Sequence, residues 1–349
     1  MELLPVMGKV PFGDRLERIR KSGHYKNGKF LNQVPTVTLK EGANFFKVLG
    51  KFLRKPSNTA PPALLPSVRT DLRKLPDGAP AVVWFGHSSY LLKIDGKIIL
   101  VDPVFSGHAA PVPGFAKAFR GSNIYGVGDM PDIDILVITH DHYDHLDYHT
   151  ILQLAPKVRH IYTSLGVGSH LEYWGIDKGR ITEMDWFDEA AVDGGLLTAM
   201  PGRHFSGRGA GAARTLWSSF VLRMGGYTIY LGGDSGYGPH FKDIGRRFGP
   251  IDLAILECGQ YGEYWPDIHM TPEETVEAAR EVGAKLLLPV HWGKFSLAFH
   301  SWDEPVKRVE AAAKKAGIPV TTPMIGELLV VGQTEPRQAW WEELNGTGW

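Results

Sequence analysis

The chain has one cysteine, Cys258, among 349 residues. A single thiol excludes an intramolecular disulfide framework and a cysteine-rich structural zinc site, and it fits a reducing compartment. Net charge is lacking too, because 38 Lys and Arg balance 38 Asp and Glu. That balance argues against a nucleic-acid binder relying on a strong global positive field. No apolar run approaches the roughly 20 residues of a membrane-spanning helix. The opening MELLPVMGKVPFGDRLERIR holds no apolar stretch long enough for a signal peptide. These absences leave a soluble, cytoplasmic protein as the expectation. What is plentiful is histidine, with 14 in the chain, and their placement carries the functional argument.

Residues 1–80 form an N-terminal extension, partly helical, expected to pack on a main body made by residues 81–349. The extension is rich in Pro, Lys and Arg and lacks strand-like alternation. Its one strong pattern is Asn44–Lys55, where Phe45, Phe46, Leu49, Phe52 and Leu53 make an apolar stripe at helical period. Lys47, Lys51, Arg54 and Lys55 lie around it. Two readings stand: a helix packed on the main body or on a second subunit, and a basic amphipathic helix resting on an anionic membrane surface.

From Ala81 the chain turns to short β-rich runs bounded by Gly, Pro or Asp: AVVWFG, YLLKI, KIILVD, DILVIT, HIYTS, GLLTAM, SFVLRM, YTIYLGG, DLAILE, KLLLPV and GELLVV. Asp95-Gly96 and Gly225-Gly226 separate pairs that read as hairpins. Pro272–Val282 reads as a helix with a Thr271/Glu274 capping box and Pro272 at its first position. Glu304–Ala316 is a second helix. Hairpins mixed with helices predict an α+β fold of mixed sheets covered by helices.

The strand DILVIT runs into His140-Asp141-His142-Tyr143-Asp144-His145. His140, His142 and Asp144 have period 2, so an extended loop would turn all three to one side. His145 then opens a short helical segment. Four donors within six residues can serve two metal ions, and three His and an Asp after a buried strand have no packing rationale. His204, Asp234 and His291 each follow a strand beside Gly or Pro, where loops present functional groups from a rigid sheet.

This ordered set resembles the metallo-β-lactamase fold superfamily, whose H-x-H-x-D-H signature stands as HDHYDH at 140–145. The resemblance covers residues 80–332 and implies a four-layer αβ/βα sandwich. It implies that His140, His142 and His204 hold one metal, that Asp144, His145 and His291 hold the other, and that Asp234 bridges them. Asp234 stands where lactamases proper carry Cys, which excludes Cys258 from that role. Asp102 in ILVDP matches an early Asp that orients a ligand histidine. WFGHSSYLLKIDGKIILVDPVFS, GGDSGYGPHF, HMTPEE and PVHWGKF narrow the resemblance to the N-acyl-phosphatidylethanolamine phospholipase D group and its bacterial relatives.

The resemblance implies two divalent ions, Zn foremost with Fe or Mn as alternatives. They would generate a hydroxide nucleophile at neutral pH. Asp144 and Asp234 would serve catalysis as well as metal binding. His269, just before the capped helix, would contact a substrate phosphate or assist the leaving group, with the helix N-terminus favouring an anion. His87 reads as structural packing. Tyr143, Tyr237, Tyr261 and Trp292 either line the pocket or pack in the core. The leading expectation is a phosphodiesterase acting on a small-molecule or lipid phosphodiester, peripheral to a membrane through residues 44–55, and a homodimer by analogy with the relatives. The alternatives are a lactonase or other carbonyl hydrolase on the same metals, and a non-catalytic metal-binding or membrane-associated protein. A nuclease fits less well, since only 57 positions separate Asp234 from His291, too few for a large inserted domain.

Overall fold

Two tight hairpins organise the main body. At Asp95-Gly96 both residues have positive φ (49° and 70°), as do Gly225 and Gly226 (56° and 80°). Such turns match the twist of antiparallel strands, and they set the registers Ile94↔Lys97 and Met224↔Tyr227. The computed structural model describes residues 4–43, 45–52, 54–112, 114–209 and 212–344.

The extension carries α1 (Leu4–Met7), α2 (Gly13–Arg20), a small hairpin of β1 (Tyr25–Lys26) and β2 (Lys29–Phe30), and α3 (Phe45–Phe52). The first half of the main body then supplies β3 (Ala81–Trp84), β4 (Tyr90–Ile94), β5 (Lys97–Val101), β6 (Ile133–Ile138), β7 (Val158–Ser164) and β8 (Ile181–Met184). The second half supplies β9 (Glu189–Val192), β10 (Gly195–Pro201), β11 (Ser218–Met224), β12 (Tyr227–Leu231), β13 (Leu253–Glu257) and β14 (Leu287–Val290). A last strand, β15 (Leu328–Val330), returns to the edge of the first sheet. The orders are β15-β3-β4-β5-β6-β7-β8 and β14-β13-β12-β11-β10-β9. Both sheets are mixed: β5 to β8 pair in parallel, as do β12 to β14, and the other pairs are antiparallel.

Strand alternation builds the layers. Val82, Trp84, Leu92, Val101 and Val137 share a core cluster with Leu197, Phe220, Leu222 and Ile229 of the second sheet. Their neighbours Val83, Leu91, Leu100 and Leu136 point the other way. These meet Ile151 and Leu154 of α4 (Tyr148–Leu154) and Leu171 of α5 (Gly168–Tyr173). On the far side, α6 (His240–Phe248), α7 (Pro272–Glu281) and α8 (Glu304–Ala316) cover the second sheet with Phe241, Ile244, Val276 and Val306. The result is the four-layer α/β/β/α sandwich, with both sheets buried on both faces. β8, β9 and the β1–β2 hairpin go beyond the strands visible in the sequence.

The extension wraps the main body. Arg15 pairs with Glu172 and Glu183 at 2.7 and 2.8 Å, Asn32 donates to the carbonyl of His204 at 2.8 Å, and Val68 N–H donates to Ile325. Of the amphipathic stretch, Asn44 and Leu53 lie outside the described residues, as do the side chains of Phe45, Phe46 and Leu49. Phe52 packs on Phe299 with ring centroids 4.9 Å apart, and Lys51 pairs with Glu263 at 3.0 Å. Lys55 donates to the Ser296 carbonyl at 2.6 Å, and burial lowers its ammonium to about 8. These contacts hold the end of α3 against the main body.

Candidate metal centre

The seven sequence-derived donors all stand just beyond strand ends at one edge of the sandwich. His140–His145 follow β6, His204 follows β10, Asp234 follows β12, and His291 follows β14. The approach to Asp234 explains its two glycines. Gly233 has φ +59, and a Cβ there would lie 2.9 Å from the Ser218 carbonyl oxygen. Only glycine lets the chain turn so close to β11.

The 140–145 segment is a turn and not the extended loop that its period of two suggested. The N–H groups of His145 and Leu146 both donate to His142 O, at 3.1 and 2.8 Å. Nor does His145 open a helix: α4 begins at Tyr148, and Asp147 caps it by accepting from His149 N–H. The turn still groups the donors, because it folds the backbone back at His142. Asp141 points away from the cluster, towards His170 and Thr215.

Two subclusters meet at Asp234. His142 Nδ1 lies 2.9 Å from His140 Nε2 and 3.2 Å from His204 Nε2. His145 Nε2 lies 3.6 Å from Asp144 Oδ2 and 3.1 Å from Asp234 Oδ2. His291 Nδ1 approaches Asp234 Oδ1 at 3.2 Å, and its ring stacks on that of His145. Asp234 Oδ2 is 3.8 Å from both His140 Nε2 and His204 Nε2, so it stands between the two groups.

Hydrogen bonds set the tautomers. His204 Nδ1–H donates to the Ile268 carbonyl at 2.8 Å, and His145 Nδ1–H donates to Asp102 Oδ2 at 2.8 Å. Thr139 Oγ1 spends its proton on Asp102 at 2.6 Å and so accepts from His140 Nδ1–H at 3.0 Å. In all three rings Nε2 is left facing the cluster, as a lone pair in His140 and His204. Burial holds His140, His204 and His291 well below the usual histidine range and His142 at about 4. Burial also pushes the Asp234 carboxyl up to about 6. His145 is the exception: burial opposes its charge, but Asp234, Asp144 and Asp102 outweigh burial and raise it. His145 Nε2 and Asp234 Oδ1 are buried and make no hydrogen bond among the described residues. Buried imidazoles, most of them held neutral, converging with a carboxylate that has an unsatisfied oxygen are a donor set that divalent cations fit. Donor atoms within 4.8 Å of one another group as His140/His142/His204, as His140/His145/Asp234, and as His87/Asp144/His145/His291.

His87, expected to pack structurally, is fully buried beside the cluster, where its packing includes the donors themselves. Its Nε2 donates to Asp144 Oδ2 at 2.9 Å, and its ring centroid is 4.0 Å from that of His291. Burial lowers its imidazole to about 4. Its place between Gly86 and Ser88 after β3 was the available signal. His87, Asp102 and His291 all have left-handed backbones (φ 54°, 42° and 67°). Such strain costs about 1–3 kcal/mol each and concentrates at functional sites. Asp102 also accepts from Thr139 N–H at 2.9 Å. Asp102→Asn is expected to weaken metal binding by roughly 10–100-fold, read by metal titration of the apo-protein.

His269 lies beside the cluster, its ring 5.0 Å from His204 and stacked 5.1 Å from His291. Its Nδ1–H donates to Glu257 Oε2 at 3.0 Å. Glu257, fully buried at the end of β13, also accepts from Ser235 N–H at 2.9 Å. Burial pushes the Glu257 carboxyl up and holds the His269 imidazole down. Sequence reasoning missed Glu257, since a glutamate ending a strand carries no signal by itself. The α7 capping box is present, with Glu274 accepting from Thr271 N–H at 2.8 Å. Glu274 thus places a carboxylate at the helix start, where an anion was expected to bind.

Of the four aromatic candidates, Trp292 stacks on Trp340 in the core, Tyr237 stacks on Phe241, and Tyr143 sits under Arg208. Tyr261 lines a cavity near the cluster. A cavity of about 450 Å³ opens directly over the donors, walled by Leu39, Phe52, Phe205, Trp265 and Leu297. A second, of about 970 Å³, lies beyond His269 and is bordered by Lys51, Arg54, Tyr261 and Arg308. His269 lines both.

Comparison with known proteins agrees with this geometry. The β-lactamase superfamily domain model matches residues 97–292. The chain is 38% identical to an uncharacterized protein of Mycobacterium tuberculosis, covering 92% of this chain and 88% of that one. It is 30% identical to N-acyl-phosphatidylethanolamine-hydrolyzing phospholipase D 1 of Caenorhabditis elegans, over 61% of this chain and 64% of the relative. Among solved structures, Igni18, a metallo hydrolase of the archaeon Ignicoccus hospitalis, shares the fold. The TM-score is 0.55 at 18% identity, over 72% of this chain and 98% of that one.

Proposed function

Because this chain belongs to the metallo-β-lactamase superfamily and is a metal-dependent hydrolase, we propose that it cleaves a phosphodiester of N-acyl-ethanolamine phospholipids or a similar lipid, as a phospholipase D does. The observation that carries this reading is the cavity over the donors, whose walls are apolar and aromatic while its floor holds His142, Asp144, Asp234 and His291. Such walls suit an acyl chain, and such a floor suits a phosphate. The name of the nematode relative points to the same substrate class.

In this reading His140, His142 and His204 would hold one divalent ion and Asp144, His145 and His291 the other, with Asp234 placed between the two groups. Divalent cations bound there would supply Lewis acidity and a water activated at neutral pH. Imidazole and carboxylate donors suit Zn, and Fe or Mn can take the same set. The rest falls to the protein. Asp102 and Thr139 orient the His145 and His140 rings, and His87 orients Asp144. A neighbouring phosphate favours the doubly protonated form of His269; held by Glu257 at Nδ1, that imidazolium would give its Nε2 proton to the leaving oxygen as the bond to phosphorus breaks. The apolar walls exclude bulk water from the reacting phosphate. Residues 44–55 would touch the membrane that carries the substrate.

Metal-loaded enzyme is expected to release N-acylethanolamine and phosphatidate in equal amounts from N-acyl-phosphatidylethanolamine vesicles. Turnover of acyl-lactones without cleavage of this lipid or of a chromogenic phosphodiester would sink the proposal in favour of carbonyl hydrolysis. Phe52→Ala is expected to cost roughly tenfold in kcat/KM on long-chain lipid, about the value of one aromatic contact. It should leave a small soluble diester unaffected.

A further inference from the structure

Behind the donor loop, on the side away from the substrate cavity, the extension meets the main body through a buried polar network. Asp141 sits between His140 and His142 in sequence, yet its carboxylate faces this network. It accepts from Gly207 N–H at 2.6 Å, Thr215 Oγ1 at 2.8 Å and His170 Nε2–H at 3.1 Å. The other ring nitrogen, His170 Nδ1, accepts from Lys9 N–H at 3.0 Å. A backbone N–H can only donate, so Nδ1 carries no proton and Nε2–H is directed to Asp141. Lys9 therefore selects the tautomer that Asp141 needs.

Arg208, buried, makes a second link. Its Nη1 donates to the carbonyls of Asp141 and Leu146 at 2.8 and 2.6 Å, bracketing the donor loop. Its Nη2 donates to Val6 O at 2.8 Å. Trp174 Nε1–H fixes the same segment by donating to Pro5 O at 2.6 Å. Gly8 makes the approach feasible: its φ is +69, and a Cβ there would lie 2.2 Å from His170 Nδ1.

We propose that Pro5–Lys9 is a positioning clamp for the metal-binding loop, acting through His170 and Arg208 on Asp141. The proposal rests on the donor cluster being a metal centre and is independent of which substrate is cut. His170 and Arg208 touch neither donors nor substrate; they are positioning residues. They act on the donors through the loop backbone, one step further out than partners that bond a ligand directly and contribute roughly 10–100-fold in affinity, so the lower end of that range is expected.

The test is Co²⁺ titration of the full-length apo-protein, read by the visible spectrum of the bound ion, with circular dichroism as the check on folding. Wild-type protein that binds no Co²⁺ fails the metal reading itself. Gly8→Ala and His170→Ala are expected to weaken binding by roughly 10-fold and to shift the Co²⁺ bands. His170→Gln keeps an N–H donor near the position of Nε2 and is expected to recover most of the loss seen in His170→Ala. Wild-type affinity and spectrum in Gly8→Ala overturn the proposal, and so does a His170→Gln variant as impaired as His170→Ala. Should Gly8→Ala not fold, the comparison of His170→Gln with His170→Ala decides by itself.

Discussion

His142→Ala is expected to abolish hydrolysis and to reduce bound metal from about two ions to about one. His142 Nδ1 is the centre of the three-histidine group, 2.9 and 3.2 Å from its partners. Removing it leaves that site with His140, His204 and only a share of the bridging Asp234, a set that holds an ion much more weakly. The loss of one Lewis acid costs several kcal/mol of transition-state stabilisation, or roughly 10³-fold or more in kcat. The fold should survive, because the turn depends on the backbone carbonyl of residue 142, which alanine keeps. Metal analysis, circular dichroism and turnover on the same sample check each part. A variant that keeps full metal occupancy would remove His142 from the ligand set.

The second large effect is expected at His269. His269→Ala should retain both metals and lose roughly 10²–10⁴-fold in kcat, the usual value of a general acid. The residue lines both cavities, and Glu257 holds its Nδ1 side at 3.0 Å. The proton donated is therefore the Nε2 proton of the imidazolium form, whose Nδ1–H stays on Glu257. Glu257→Gln separates proton donation from mere occupancy. It keeps the shape and a carbonyl acceptor but removes the buried carboxylate, so it should lower kcat less than His269→Ala and leave KM unchanged. A faster leaving group such as p-nitrophenol needs less protonation, so His269→Ala should be least impaired on an aryl phosphodiester. Equal losses on aryl and alkyl diesters would point to binding rather than proton transfer.

Several features were legible because they depend on neighbours in sequence. The hairpins at Asp95-Gly96 and Gly225-Gly226 follow from residues that tolerate positive φ. The α7 cap follows from Thr271, Pro272 and Glu274. Donors were visible where His or Asp interrupted the end of an apolar strand. β8 (ITEM) and β9 (EAAV) were not, since their partly exposed residues lack alternation and each gains its strand form from pairing with β7 or β10. The period-two reading of 140–145 erred because three histidines and two carboxylates make good turn residues as well as extended ones. Partners distant in sequence choose between them: Arg208 donates to the Asp141 and Leu146 carbonyls, and Asp102 accepts from His145.

The sequence by itself determined the chemistry available: five histidines and two aspartates placed beyond strand ends, and mixed sheets to hold them. These are consequences of local turn preferences and apolar patterning. Tertiary structure decided the grouping of those donors and the supporting cast around them. His87 reaches Asp144 across 57 positions and Ser88 reaches His291 across 203. The apolar cavity needs Phe52 of the extension beside Trp265 and Leu297 of the main body. The inward role of His87, the outward turn of Asp141 and the burial of Glu257 have the same cause. Each is fixed by a hydrogen-bond partner distant along the chain, in a desolvated interior where an unmatched polar group would cost about 1–3 kcal/mol.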